Sequence, residues 1–149
     1  NPKPTWQATM AASAALGSLP AYERAFTVDD HAAMMALMAE DVVFSDPLSG
    51  ELGSKAALRK HLSQAAGWLS GVTQSIQDRV VDGERVFLRW VHGGTNGVTG
   101  ERYTFSGCTF LRFREGKVAE HRDFFDPRAL IRQAKEAMRA QKSGGRSKL

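Results

Sequence analysis

The sequence predicts an α+β fold in which helices precede an antiparallel sheet. Apolar residues recur at helical spacing between residues 20 and 68. After Gly71 the pattern changes to alternation, and four strand-like segments follow one another with short connections. Segregated helices and strands are typical of α+β domains. The length of 149 residues suits one such domain.

Composition divides the chain into three parts. Residues 1–19 are rich in alanine and are expected to form an N-terminal arm or an extra helix. Residues 20–127 contain all the strand segments and are expected to form the domain. Residues 128–149 carry seven Lys and Arg residues against one acidic residue, which predicts a solvated basic helix with a flexible tail.

Two helices and a short strand are expected to open the domain. Pro20 begins the first helix, because proline is tolerated in a first helical turn. Asp29 or Asp30 caps the second helix, which is expected to end at Asp41. The run Val42-Val43-Phe44 then predicts a short strand.

A turn, a third helix and the strands follow. Asp46-Pro47 with Ser49-Gly50 indicates a turn, and Ser54 begins a helix expected to reach Trp68. The later segments are predicted as strands at residues 72–81, 85–92, 102–114 and 117–125, with a flexible glycine-rich connection at 93–100 and a last helix at 128–141.

Alternation assigns one face of each late strand to the interior. Charged residues occupy even positions of the strand 102–114, so its odd positions are expected to face inward. The same argument turns His121 and Asp123 inward on the last strand. The inward faces of the strands and the helices are expected to enclose an apolar hollow, and concave apolar sites of this kind bind small ligands. The side chains expected to line the hollow between sheet and helices are Trp90, His92, Tyr103, Phe105, Thr109, Leu111, Phe113 and Phe125.

Asp123 and His121 are the first candidates for chemistry. A carboxylate on an apolar face is costly unless it is paired or kept neutral. A histidine and a carboxylate side by side on a dry wall can exchange protons with a ligand near neutral pH. The alternative is a structural hydrogen bond between His121 and Asp123 that closes the end of the sheet.

Asp46 and Tyr22 are the next candidates. Asp46 follows the first strand, where the helices meet the sheet, and its alternative role is to cap a turn. Tyr22 lies on the apolar side of the first helix, and its alternative role is core packing. His31 and His61 have no partner in the pattern and receive no role.

Composition also excludes several classes of protein. The single Cys108 rules out an internal disulfide framework and a cysteine-based zinc site, and no metal is predicted. The net charge of +4 comes from the tail, since residues 1–127 have a balance of −2, and this argues against a nucleic-acid binder. No apolar run is long enough to predict a transmembrane helix.

Four stretches of the chain carry a family pattern. They are the helix pair 22–41, the run Val42-Val43-Phe44-Ser45-Asp46-Pro47, residues 107–118, and the ending His121-Arg122-Asp123-Phe124-Phe125-Asp126-Pro127. Together they resemble the NTF2-like superfamily, in its SnoaL-like and ketosteroid-isomerase-like branch. This resemblance implies a cone-shaped curved antiparallel sheet wrapped over three N-terminal helices, a cystatin-like roll with an apolar pocket.

The resemblance also implies roles for single residues. Tyr22 and Asp46 match the tyrosine that donates to an oxyanion and the proton-shuttling aspartate of ketosteroid isomerases. Thr109 stands where those enzymes have a second oxyanion donor, an aspartate. His121 and Asp123 match the histidine and the acid–base aspartate of SnoaL-like cyclases.

The last strand is similar to that of limonene-epoxide-hydrolase-like proteins as well. The second catalytic aspartate of those enzymes has no counterpart between Arg89 and His92. The function predicted is therefore a cofactor-independent acid–base enzyme acting on a lipophilic small molecule, as an isomerase, an aldol-type cyclase or a dehydratase (a lyase). The alternatives are a non-catalytic small-molecule-binding or dimeric scaffold module, and an epoxide hydrolase.

Two further expectations concern partners and location. The resemblance implies a homodimer. The ending Ser147-Lys148-Leu149 resembles a type 1 peroxisomal targeting signal, which a peroxisomal import receptor reads. The expected location is the peroxisome for a eukaryotic source with a native C-terminus, and the cytoplasm otherwise.

Overall fold

The computed structural model of the chain describes residues 16–65 and 69–145. Within these ranges the elements are the helices α1 (Leu19–Thr27), α2 (His31–Leu37), α3 (Lys55–Ala65) and α4 (Arg128–Gly145), and the strands β1 (Met38–Asp46), β2 (Gly50–Leu52), β3 (Leu69–Asp82), β4 (Arg85–Asn96), β5 (Arg102–Arg114) and β6 (Lys117–Phe125). Three expectations lie partly or wholly outside the described residues: the arm over residues 1–19, of which 1–15 are not described, the helix end at Trp68, and the signal Ser147-Lys148-Leu149.

The described strands form one curved sheet in the order β2-β1-β6-β5-β4-β3. Neighbouring strands are antiparallel except β1 and β6, which are parallel. The predicted α+β class is confirmed, and the bounds predicted for β5 and β6 agree with the structure. The parallel β1–β6 contact joins the first strand to the last, which places residues far apart in sequence on one wall.

The second helix is shorter than the sequence predicted. It ends at Leu37 rather than at Asp41, and β1 begins at Met38 with extended backbone angles. Met38 pairs with Val118 of β6, so a strand partner overrides the helical spacing of the local sequence. Asp30 is the helix cap, because its carboxylate accepts a hydrogen bond from the Ala33 amide at 2.9 Å.

Two parts of the sheet are not predicted by the sequence, because their residues are typical of turns and flexible connections. Residues 50–52 form the short strand β2, which pairs antiparallel with the end of β1. Gly93 and Gly94 belong to β4 rather than to a flexible connection. A Cβ atom on Gly94 would lie 2.6 Å from the Tyr103 hydroxyl oxygen on the neighbouring strand. A larger residue at this position would have to displace the Tyr103 side chain, so a close side chain rather than a turn explains the glycine.

The core lies between the concave face of the sheet and the first helices. The buried side of α1 carries Leu19, Tyr22, Ala25 and Phe26. The sheet contributes Val42 of β1 and apolar core side chains from β4 and β5, which are Val86, Leu88, Trp90, Leu111 and Phe113. The candidate site is a cavity that borders this core, because Phe26, Phe44 and Trp90 belong to both.

The composition of the tail predicts a solvated last helix, but α4 is buried in part. Gln133 and Ala137 of α4 are buried. Asn96, at the end of β4, donates from Nδ2 to the Gln133 carbonyl oxygen at 2.9 Å and to its Oε1 at 3.1 Å. Hydrogen bonds between buried polar groups therefore attach α4 to the end of the sheet.

Replacing Asn96 by Ala is expected to destabilise the fold by about 2–3 kcal/mol. The side chain is fully buried, and its Oδ1 also accepts from the amides of Val98 and Thr99. Truncation leaves buried donors and acceptors unpaired, each at a cost of about 1–3 kcal/mol. Urea unfolding followed by circular dichroism measures the loss. Arg132→Ala is the control, because it removes only surface ion pairs with Glu101 and Glu136, each worth about 0–1 kcal/mol. Equal effects of the two substitutions would contradict this role of Asn96.

Candidate active site

A cavity of about 250 Å³ opens between the sheet and helices α1–α3. Most of its wall is apolar or aromatic. Its aromatic lining comes from Phe26, Phe44, Trp90, Phe105 and Phe125. A larger depression of about 1200 Å³ lies outside this cavity, between α1 and β3. No histidine lines the depression, and Glu23 and Arg79 form an ion pair there. The chemistry-bearing side chains are in the smaller cavity.

All four histidines of the chain line this cavity. Three of them lie beside an aspartate, and the pairs are His31–Asp29 at 3.1 Å, His61–Asp46 at 3.0 Å and His121–Asp123 at 3.0 Å. The fourth, His92, stacks on Phe105 with ring centroids 4.8 Å apart. Among residues 16–65 and 69–145, no three His, Cys, Asp or Glu side chains are grouped so as to hold a metal ion.

Strand alternation and register place His121 and Asp123 on the cavity side of the sheet, as the sequence predicted. Both lie on the inward face of β6, and Asp123 is opposite Thr109 of β5. The His121 side chain is 2% exposed and the Asp123 side chain 18% exposed. We call these two residues the β6 pair. Asp123 is the member that a ligand in the cavity can touch most easily.

The hydrogen bond between Thr109 and Asp123 has a fixed direction. The Trp90 indole N–H donates to Thr109 Oγ1 at 2.8 Å, so the Thr109 hydroxyl hydrogen is free to donate to Asp123 Oδ1 at 2.6 Å. His121 Nε2 lies 3.0 Å from the same Oδ1. Within the described part of the chain, Oδ2 has no hydrogen-bond partner. Asp123 is therefore an acceptor with one oxygen held and the other open to a ligand.

Tyr22 does not lie in the cavity, where the resemblance implies that it would donate to an oxyanion. It is fully buried and does not line the cavity, so its hydroxyl group cannot reach a substrate oxygen. The Tyr22 hydroxyl oxygen lies instead 3.2 Å from His121 Nδ1. A hydroxyl group can donate to neutral Nδ1 or accept from Nδ1–H. His121 can thus gain or lose a proton without leaving a ring nitrogen unpaired.

Four of the eight predicted wall residues line the cavity: Trp90, His92, Phe105 and Phe125. The other four do not. Leu111 and Phe113 face inward but are fully buried under the helices. Thr109 lies behind Asp123, and Tyr103 lies behind His92, with its hydroxyl oxygen 3.3 Å from His92 Nε2. Burial lowers the pKa of His92 below its usual value, against the opposing charges of Asp29 and Asp123.

Asp46 faces the cavity, but both of its oxygens are occupied. Oδ1 accepts from the amides of Leu48 and Ser49, each at 2.6 Å, which is the turn cap considered as an alternative. Oδ2 lies 3.0 Å from Nε2 of His61 on α3. We call His61 and Asp46 the α3–β1 pair. No local spacing links His61 to Asp46, so the sequence alone predicts no role for His61.

Both tyrosines of the chain carry a raised pKa, which predicts a loss of stability at high pH. Burial, with a further contribution from Asp123, raises the pKa of Tyr22 well above 10.0, and burial raises that of Tyr103 to about 12. Above pH 10 the unfolded chain therefore releases protons that the folded chain retains, so the free energy of unfolding falls as pH rises. Tyrosinate absorbance from Tyr22 should appear only with unfolding, and Tyr22→Phe should flatten the decline. Reversible ionisation of both groups in the folded protein would contradict this.

The fold and the cavity are those of an NTF2-like small-molecule enzyme or binding protein. The family model of the SnoaL-like domain matches residues 20–121. The chain therefore belongs to the SnoaL-like domain family, and the predicted superfamily is confirmed. No helix in the described part of the chain is both long and apolar enough to cross a membrane.

Solved structures with this fold cover most of the chain. A candidate polyketide cyclase from Xanthomonas campestris pv. campestris is 25% identical, with a TM-score of 0.67, 83% of this chain covered and 98% of that chain. A protein from Catenulispora acidiphila with a ketosteroid isomerase-like fold, in complex with trimethylamine, is 19% identical, with a TM-score of 0.67 and coverages of 77% and 89%. An LEH-like epoxide hydrolase from M. tuberculosis is 18% identical, with a TM-score of 0.64 and coverages of 89% and 97%. No curated protein matches the sequence.

Proposed function

We propose that this protein is a cofactor-independent acid–base enzyme that moves a proton on a lipophilic carbonyl compound. The observation that carries the proposal is the open Oδ2 of Asp123, whose other oxygen is held by Thr109 and His121. A general base must present an unoccupied oxygen to the proton that it takes. The apolar cavity around it suits a small ligand with one or two rings.

In this proposal Asp123 removes a proton from the carbon next to a carbonyl group. His121 donates a hydrogen bond to the carboxylate, and Tyr22 supports His121 from the core side. The proton then returns to another carbon or oxygen, which corresponds to isomerisation, aldol-type cyclisation or dehydration. Similarity to a candidate polyketide cyclase supports carbonyl chemistry of this kind. Homodimerisation and import into the peroxisome stay predictions of the sequence.

A non-catalytic binding protein is the second candidate, because His121 and Asp123 already satisfy each other. Solvent exchange distinguishes the two. The protein is screened by thermal shift against cyclic enones, aromatic polyketides and simple aryl ketones, since a bound ligand stabilises the folded state. Ketones that bind are then incubated in deuterium oxide, and proton NMR follows loss of the signal from the carbon next to the carbonyl. Binding without catalysed exchange would favour the binding protein.

A further inference from the structure

A second acid–base group faces the same cavity. His61 of α3 lines the cavity, and its side chain is 24% exposed. Its Nε2 is held by Asp46, and Nδ1 has no hydrogen-bond partner among the described residues. A histidine with one nitrogen anchored on a carboxylate and the other open to a ligand can transfer protons. Asp46, with both oxygens occupied, holds the ring rather than acting as a base.

The α3–β1 pair and the β6 pair lie on neighbouring parts of one wall. Phe44 of β1 pairs in register with His121 of β6. The Phe44 ring centroid lies 4.9 Å from that of His121 and 6.0 Å from that of His61. Asp46 follows Phe44 by two residues, as Asp123 follows His121, so both aspartates face the cavity from adjacent strands. The two pairs therefore flank Phe44 on one wall of the cavity.

We propose that His61 is a catalytic acid held by Asp46, and that with Asp123 it removes water from a β-hydroxy ketone. The inference rests on the proposed function, because it uses Asp123 as the base. Moving one proton along a substrate requires one acid–base group, whereas water loss requires a base at carbon and an acid at the departing oxygen. Two such groups on one wall suit removal of the hydrogen and the hydroxyl group from the same face of the substrate.

The reaction balances with the groups present. Asp123 Oδ2 takes the proton from the carbon next to the carbonyl, and the electron pair of that C–H bond forms the new C=C bond. The β-carbon–oxygen bond breaks, and its electron pair stays with the departing oxygen. Protonated His61 gives its Nδ1 proton to that oxygen, so that water leaves. Asp123 is then protonated and His61 neutral, and one proton transferred through solvent restores the starting state.

The test uses the aldol adduct of benzaldehyde and acetone, which loses water to give benzylideneacetone with strong ultraviolet absorbance. His61→Gln is expected to lower the rate of water loss by about 10²–10³-fold, as for removal of a general acid. Deuterium exchange next to the carbonyl should fall much less than water loss in the same variant, because exchange needs Asp123 as the base but no acid at a departing oxygen. Lys60→Gln, an exposed neighbour on α3, is the matched control.

Each outcome decides between the two proposals. The inference is supported if His61→Gln loses dehydration but still catalyses deuterium exchange. Dehydration at the wild-type rate in this variant overturns the inference but leaves Asp123 as the base. A wild-type protein that catalyses exchange without dehydration also overturns the inference and also leaves Asp123 as the base. A wild-type protein that catalyses neither overturns the function proposed above. Asp46→Asn is the second variant should His61→Gln fail to fold. It is expected to lower kcat for water loss with KM unchanged, since a purely structural change at the turn would alter both.

Discussion

Replacing Asp123 by Asn is expected to lower the rate of proton transfer by roughly 10²–10⁴-fold while the fold is retained. An amide keeps an oxygen in place to accept from Thr109 and has nearly the same size as the carboxylate. The amide nitrogen or oxygen at the position of Oδ2 cannot take a proton from carbon at neutral pH. Deuterium exchange of a bound ketone gives the rate, and thermal unfolding reports the fold.

The control for Asp123→Asn is chosen on the outer face of the same strand. Arg122→Gln removes a neighbouring charge that pairs with Glu51 and Glu120 away from the cavity. It should leave exchange within about threefold of wild type, below the tenfold step that 1.4 kcal/mol represents. Undiminished exchange in Asp123→Asn would exclude this carboxylate as the base. A comparable loss in Arg122→Gln would mean that disturbance of β6, rather than the missing base, lowers the rate.

The sequence was sufficient to find the β6 pair because alternation is a local property. The predicted ends of β5 and β6 agree with the structure, so the face of each side chain followed from counting residues. Alternation does not report depth, however. Leu111 and Phe113 face inward as predicted, but they are fully buried in the core and do not line the cavity.

The α3–β1 pair could not be predicted because its contacts are not local. A turn, β2 and the first residues of α3 separate Asp46 from His61, and no spacing rule relates the two residues. The contact of Phe44 with His121 depends on parallel pairing of the first and last strands. The same pairing converts residues 38–41 from the expected helix into strand. Long-range strand partners outweigh local propensity in both cases.

Replacing His121 by Phe is expected to lower the exchange rate by about 10²-fold and the free energy of unfolding by about 2–4 kcal/mol. Phenylalanine retains a ring beside Phe44 but removes both nitrogens from a side chain that is 2% exposed. The fully buried Tyr22 hydroxyl group then has no partner, and Asp123 Oδ1 loses one of two donors. Leaving such a buried group unpaired costs about 1–3 kcal/mol. Urea unfolding and deuterium exchange measure the two effects separately.

Tyr22→Phe separates the two consequences, because it removes only the hydroxyl group that faces Nδ1. His121 keeps its hydrogen bond to Asp123 in that variant, so exchange should fall by no more than about tenfold, the equivalent of 1.4 kcal/mol. If His121 only filled space, His121→Phe would unfold more easily but exchange protons at the wild-type rate. If the β6 pair transfers protons as one unit, His121→Phe must slow exchange well beyond Tyr22→Phe. The order of the two rates, rather than either loss alone, therefore tests whether His121 takes part in the chemistry.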